Sequence, residues 1–214
     1  MRAIKYGHAC VRLEKDGQVL VLDPGAFSEP EALDGADAVL ITHEHFDHWE
    51  PERLKKALDG RPGLRVWTND GTADQLEQAG IPGSRISVVG HGDAFTAAGF
   101  EVEAHGEWHA VIHQDVPLVK NTGFLIDGQV FHPGDALTVP EHPVDTLLLP
   151  AHAPWSKLGE LVDYMREVGA KRAYGIHDAL LSELGQGVNV NFLGQLVKDT
   201  PYTATKPGDE LSLA

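Results

Sequence analysis

Two stretches of this chain read alike, and that repetition limits its architecture more than any other feature. DGQVLVLDPG at 16–25 echoes DGQVFHPGD at 127–135, and ADAVLITHEH at 36–45 echoes VDTLLLPAH at 144–152. Each first member is an Asp-Gly turn followed by a strand, and each second member is a short apolar strand that stops at a histidine-bearing loop. Both halves continue with a helical segment and another strand, ending in WTND at 67–70 and YGIHD at 174–178. Two copies of a hairpin–strand–helix–strand unit imply two sheets packed face to face with helices outside. The expected class is α/β, with residues 1–214 forming a single domain made of two similar halves.

In the first half, residues 2–13 are expected to form one strand that returns through Asp16-Gly17 to Val19–Leu22. The run Ala38–Ile41 is a buried strand. Pro51–Leu58 is a helix with proline in its first turn and Gly60 beyond its end, and Thr72–Ala79 is a helix closed by Gly80. Leu64–Thr68, Arg85–Val89 and Phe100–Ala104 read as strands. In the second half the strands are Gly123–Ile126, Gln129–Phe131, Thr146–Leu149 and Arg172–Ile176. Lys157–Val168 carries a helical stripe of Leu158, Leu161, Val162, Met165 and Val168, capped by Gly169. The tail from Tyr202 to Leu213 alternates as an edge strand would.

The first apolar strand runs directly into His43-Glu44-His45-Phe46-Asp47-His48. In extended backbone, residues i and i+2 point the same way, so His43 and His45 can share one ion. The chain must then bend for Asp47 and His48 to reach a second. Imidazole and carboxylate suit zinc and similar borderline metals, and thiolate is not required. A surface loop of idle histidines is the plainer alternative, but this string follows a buried strand and concentrates donors that the chain's 12 histidines do not show elsewhere.

HEHFDH has the His-x-His-x-Asp-His pattern of the metallo-β-lactamase superfamily, and the resemblance extends over essentially the whole chain. The opening YGHACVRLEKDGQVLVLDPG also resembles the small lactonase-like proteins related to L-ascorbate-6-phosphate lactonase. The resemblance implies an αβ/βα four-layer sandwich, the metallo-β-lactamase fold, and three further metal ligands. The first is a histidine after a mid-chain strand, where FEVEAHGEWHAVIH offers His105, His109 and His113. The family ligand follows an aromatic residue, here Trp108, and this selects His109. The second is the aspartate of a Gly-Asp step, Asp135 in FHPGDAL, whose two oxygens can bridge two cations. The third is a histidine ending a late strand. His177 fits, with His152 as its competitor and as a substrate contact beside Trp108 and Trp155. The expected ligand set is therefore His43, His45, Asp47, His48, His109, Asp135 and His177, with Asp47 and Asp135 as the catalytic carboxylates. His8 and His132 are candidates for the surroundings of the centre, and Asp23 for a carboxylate that orients a ligand histidine. His91 and His142 are expected at the surface.

Two divalent ions, zinc with manganese or iron as alternatives, would then activate a bridging hydroxide against a small ester, lactone or phosphoester. Lys120 and Lys157 are candidate anchors for an anionic group, although solvation is the simpler fate of both. A nuclease or phosphodiesterase is the competing enzyme class, and the net charge of −15 argues against it. Redox di-iron relatives carry Glu at the second motif position, where this chain has His45. A metal-binding protein without turnover is the non-enzymatic alternative. The expected partner is a small molecule, with neither nucleic acid nor membrane. The single cysteine, Cys10, precludes an intrachain disulfide, and the opening residues lack a signal-peptide apolar core, so a cytoplasmic location is expected.

Overall fold

The computed structural model describes residues 1–213, and two seven-stranded sheets form its centre. The first sheet is built from β1 (Arg2–Lys5), β2 (Val11–Lys15), β3 (Gln18–Leu22), β4 (Ala38–Leu40), β5 (Arg65–Thr68) and β6 (Ile86–Val88). The second uses β7 (Ala94–Ala97), β8 (Phe100–His105), β9 (Gly123–Ile126), β10 (Val130–His132), β11 (Thr146–Pro150) and β12 (Arg172–Ile176). The tail supplies β13 (Tyr202–Thr203) to the second sheet and β14 (Glu210–Leu211) to the first. Strand order is β14-β1-β2-β3-β4-β5-β6 in one sheet and β7-β8-β9-β10-β11-β12-β13 in the other. In both, the first four strands pair antiparallel and the rest parallel.

Alternation along the strands places the layers. Leu20 and Leu22 of β3, Ala38 and Leu40 of β4, Phe124 and Ile126 of β9 and Leu148 of β11 meet between the sheets. The residues between them face outward and are covered by helices, so these strands are apolar on both faces. Val21, Val39 and Ile41 pack under α1 (Pro51–Gly60) and α2 (Asp70–Gln78) through Leu54, Leu58, Ala73 and Leu76. Leu125, Leu147 and Leu149 pack under α3 (Leu158–Val168) and α4 (Glu183–Leu196) through Leu161, Met165 and Leu193. The result is four layers, helix–sheet–sheet–helix. Local signals set the helix ends. Glu50 caps α1 by accepting from the Glu52 and Arg53 amides, and Gly169 ends α3 at φ 60°.

Two sequence expectations are corrected here, and two elements are new. Residues 2–13 are two strands rather than one, because Gly7 (φ 100°) and His8 (φ 39°) turn the chain between them. Hydrogen bonds from Tyr6 N to Cys10 O and from Cys10 N to Gly7 O close that turn. A Cβ on Gly7 would stand 2.9 Å from the Phe27 carbonyl, so the turn sits tightly on the loop after β3. The tail is two short edge strands on different sheets rather than one. β7 and α4 were not legible at all: α4 contains Gly185, Gly187 and Gly194 among valines and asparagines, all poor helix formers. No helix among the described residues is long and apolar enough to cross a membrane.

Candidate metal centre

Four loops converge beyond the carboxyl ends of β4, β8, β10 and β12, the end where open α/β sheets bind ligands. The loop after β4 carries the HEHFDH motif. It is folded by a His48 N to His45 O bond and held by Trp49, whose indole N–H donates to the Glu44 carbonyl. Gly25 lies against the Asp47 backbone so closely that a Cβ there would overlap the Asp47 carbonyl. His109 follows β8, Asp135 follows β10 and His177 immediately follows β12. His177 has φ 55°, and its amide donates to the His8 carbonyl at 3.0 Å.

The side chains form three overlapping sets. His8, Asp47, His48 and His177 offer donor atoms within 4.8 Å of one another, as do His43, His45 and His109, and His43, His48 and Asp135. Asp135 lies between the sets: its oxygens are 3.2 Å from His48 Nε2, 3.5 Å from His109 Nε2 and 3.0 Å from His177 Nε2. Its carboxylate also accepts from Trp155 Nε1 at 2.9 Å, and its amide donates to Asn121 Oδ1. His43 Nε2 faces His45 Nδ1 at 3.1 Å.

The partner of the second ring nitrogen fixes each tautomer. His48 Nδ1 donates to Asp23 at 2.7 Å, His109 Nδ1 to the Ala110 carbonyl at 2.5 Å and His177 Nδ1 to the His152 carbonyl at 2.6 Å. His43 Nδ1 donates to Thr42 Oγ1, which itself donates to Asp23. Each of these rings therefore presents a bare Nε2 to the centre, the arrangement of a metal-binding imidazole. The Nε2 atoms of His48, His109 and His177 and Oδ1 of Asp135 are buried without any hydrogen-bond partner. Four such orphans aimed at one another would be costly unless a cation joined them, so the donor set fits metal. His8 differs. Its Nδ1 accepts from the Ala179 amide at 3.3 Å, which leaves the proton on Nε2 to donate to Asp47 at 3.1 Å.

The comparisons with known proteins fit this geometry. Residues 3–177 match the family described as β-lactamase superfamily domain. The chain belongs to the β-lactamase superfamily. Its sandwich is the metallo-β-lactamase fold that HEHFDH led one to expect. The chain is 38% identical over 206 residues to protein Rv0786c of Mycobacterium tuberculosis, covering 94% of this chain and 93% of that one. It is 29% identical over 152 residues to a UPF0173 metal-dependent hydrolase of Chelativorans sp., covering 63% of each. Its fold is similar to that of Igni18, a metallo hydrolase from the archaeon Ignicoccus hospitalis, with a TM-score of 0.74 at 16% identity over 98% of this chain and 97% of that one.

Other residues singled out in this superfamily member lie as follows. His132 uses both nitrogens, donating to the Ala9 carbonyl and accepting from the Gly134 amide, so it braces the loop before Asp135. His105 is buried but lies against Phe131 and Glu103, away from the centre, and His113 is exposed beside Asp115. His91 and His142 are exposed. Trp155 stands edge-on to His109 with ring centroids 6.1 Å apart. Trp108 turns the other way, under Lys120 Nζ at 4.4 Å from its ring, because neighbours in extended chain face opposite sides. His152 contributes its carbonyl to His177. Lys120 is held by Glu107 at 2.7 Å and Lys157 by Glu160 at 3.0 Å, so neither is a free anion anchor. The sequence reading gave His8 only as a candidate, because the turn that swings it inward has no strong signal beyond Gly7.

Burial opposes every charge in the site. For His43 it is the main effect, reinforced by His48, and it holds the imidazole neutral far below the ordinary range. His45 is lowered by burial and then by His109. For His48 and His177 burial is the largest influence but is outweighed by carboxylates, Asp135 foremost. His48 is raised well above the usual value and His177 to about 9. Burial likewise works against the Asp47 and Asp135 carboxylates. It is overcome by the imidazoles of His177 and His8 at Asp47, and by those of His48 and His177 at Asp135.

Proposed function

We propose that this chain is a metal-dependent hydrolase that uses two divalent ions, zinc foremost, to cleave a small ester, lactone or phosphoester. The reading rests above all on the four buried, unpartnered donor atoms of His48, His109, His177 and Asp135 aimed at one another. The metal-dependent hydrolase among its relatives supports the same class. His43, His45 and His109 would hold one ion, Asp47, His48 and His177 the other, with Asp135 shared between them. Bound there, the pair supplies Lewis acidity for the carbonyl or phosphoryl oxygen and lowers the pKa of water into the neutral range.

The chain's own residues supply the rest. His8 holds one Asp47 oxygen through its Nε2–H, and Trp155 holds one Asp135 oxygen, so neither carboxylate can rotate freely. Asp47 is the more open of the two, 17% exposed against 5%, and is placed to take the proton of attacking water. Nucleophilic catalysis by thiolate is disfavoured, because Cys10 is fully buried and burial pushes its thiol up.

Metal analysis of the purified protein should find close to two ions per chain. Asp47→Ala should lower that content and abolish ester hydrolysis while leaving the circular dichroism spectrum unchanged. Full activity in Asp47→Ala at unchanged metal content would overturn the assignment.

A further inference from the structure

His45 and His109 form one wall of a cleft of about 480 Å³ whose other wall is the segment 110–119. This segment is stapled to the centre at both ends. His109 N donates to the Val119 carbonyl at 3.0 Å, Ala110 N donates to the Asp135 carbonyl at 2.8 Å, and Trp108 pairs with Lys120 just outside. Between the staples it turns once, through Val116 N to His113 O, and presents apolar side chains to solvent. Val111, Ile112, Val116 and Leu118 are 66%, 37%, 43% and 48% exposed, and all four line the cleft. Apolar chains clustered in a short surface segment beside a polar centre are unfavourable in water unless a ligand covers them.

The charge of the cleft points the same way. Its lining includes Asp115 and no lysine or arginine. Three cations that flank the loops are engaged: Lys120 with Glu107, Lys157 with Glu160, and Arg53 with the Ser28 carbonyl. A phosphate or free carboxylate on the substrate would meet no compensating side chain there, whereas an uncharged hydrocarbon arm would cover the four apolar residues.

We infer that the substrate is an uncharged carboxylic ester or lactone with an apolar arm. The arm lies along residues 110–119 and the acyl carbon at the His/Asp centre. This rests on the hydrolase reading and narrows it, setting phosphoesters aside. In the reaction, the oxygen of water bonds to the acyl carbon and the acyl C–O bond breaks. One water hydrogen ends on the departing alcohol oxygen, and the other is released as a proton with the carboxylate product.

The test pairs binding with turnover on the zinc-loaded protein. Calorimetric titration with straight-chain hydroxamic acids from acetyl to octanoyl should show affinity rising about fourfold per buried methylene. Val116→Ser/Leu118→Ser should flatten that rise, with a loss of affinity that grows with chain length. Esterase kcat/KM should climb from p-nitrophenyl acetate to the octanoate, with p-nitrophenyl phosphate far slower. Hydrolysed esters with flat chain-length dependence in both series would overturn the cleft assignment alone, as would preferred turnover of the phosphate. Chain-length-dependent binding without hydrolysis of any ester would uphold the cleft and overturn the hydrolase reading. Absence of hydroxamate binding at every length would overturn both.

Discussion

A histidine near a metal centre is identified by what its far nitrogen does. His48, His109 and His177 each give that N–H away to an oxygen, whereas His8 receives an N–H and so turns its own proton toward Asp47. Proximity alone groups His8 with His177, but the hydrogen bonds separate them. His177→Ala should therefore lose close to one ion per chain, while His8→Ala should keep both and bind them more weakly. Equal loss of stoichiometry in the two variants, by metal analysis, would count against the distinction. Asp23 supports the same logic one step further out. It is fully buried and binds His48 Nδ1, Thr42 N and Thr42 Oγ1 together. Asp23→Asn keeps the volume but not the charge or both acceptor oxygens. Metal affinity should fall by about 10- to 100-fold in chelator competition. The motif residues and Asp23 could be read from the chain because they are consecutive or flank a strand. The choice of His109 over His105 and His113 needed the family resemblance. Nothing in local sequence says which of three histidines around Gly106 will face inward.

At the level of elements, two-sided apolar strands such as Val19–Leu22 and Thr146–Leu149 were legible because burial on both faces writes itself into composition. The termini of α1 and α3 were legible through Pro51 and Gly169. What escaped was structure imposed by tertiary contact: the turn at Gly7–His8, the helix α4 despite its glycines, and β7. The ammonium of Lys5 shows how such contacts are held. Lys5 is fully buried on β1, and its three donors meet Asp178 Oδ1, the Gly175 carbonyl and Thr205 Oγ1 at 3.0, 3.1 and 3.1 Å. Burial lowers its pKa, and Asp178 works against that. The contact fixes the segment in which His177 adopts its left-handed backbone. Lys5→Met should destabilise the protein by about 3–5 kcal/mol in urea unfolding, because it strands a mostly buried carboxylate. Adding Asp178→Asn should cost much less than it does alone, since the two changes remove one interaction. Strict additivity would mean the pair is not coupled.

For the whole molecule, 32 acidic against 17 basic side chains set the long-range field. A polyanion would be repelled before reaching a centre that offers no basic track along its approach. Filter-binding with duplex DNA and with RNA should show no submicromolar, salt-sensitive affinity. Such an affinity, or cleavage at low enzyme concentration, would bring the nuclease alternative forward. The tail that places β13 on one sheet and β14 on the other has a different consequence, one of timing. During synthesis, β1 leaves the ribosome early, but its outer edge is covered only when Glu210 and Leu211 arrive. The buried ammonium of residue 5 waits likewise for Thr205, made 200 positions later. The amino-terminal sheet therefore cannot reach its final form as a nascent fragment, and the turn carrying His8 meets its partner amide only once His177, 169 positions later, has been made.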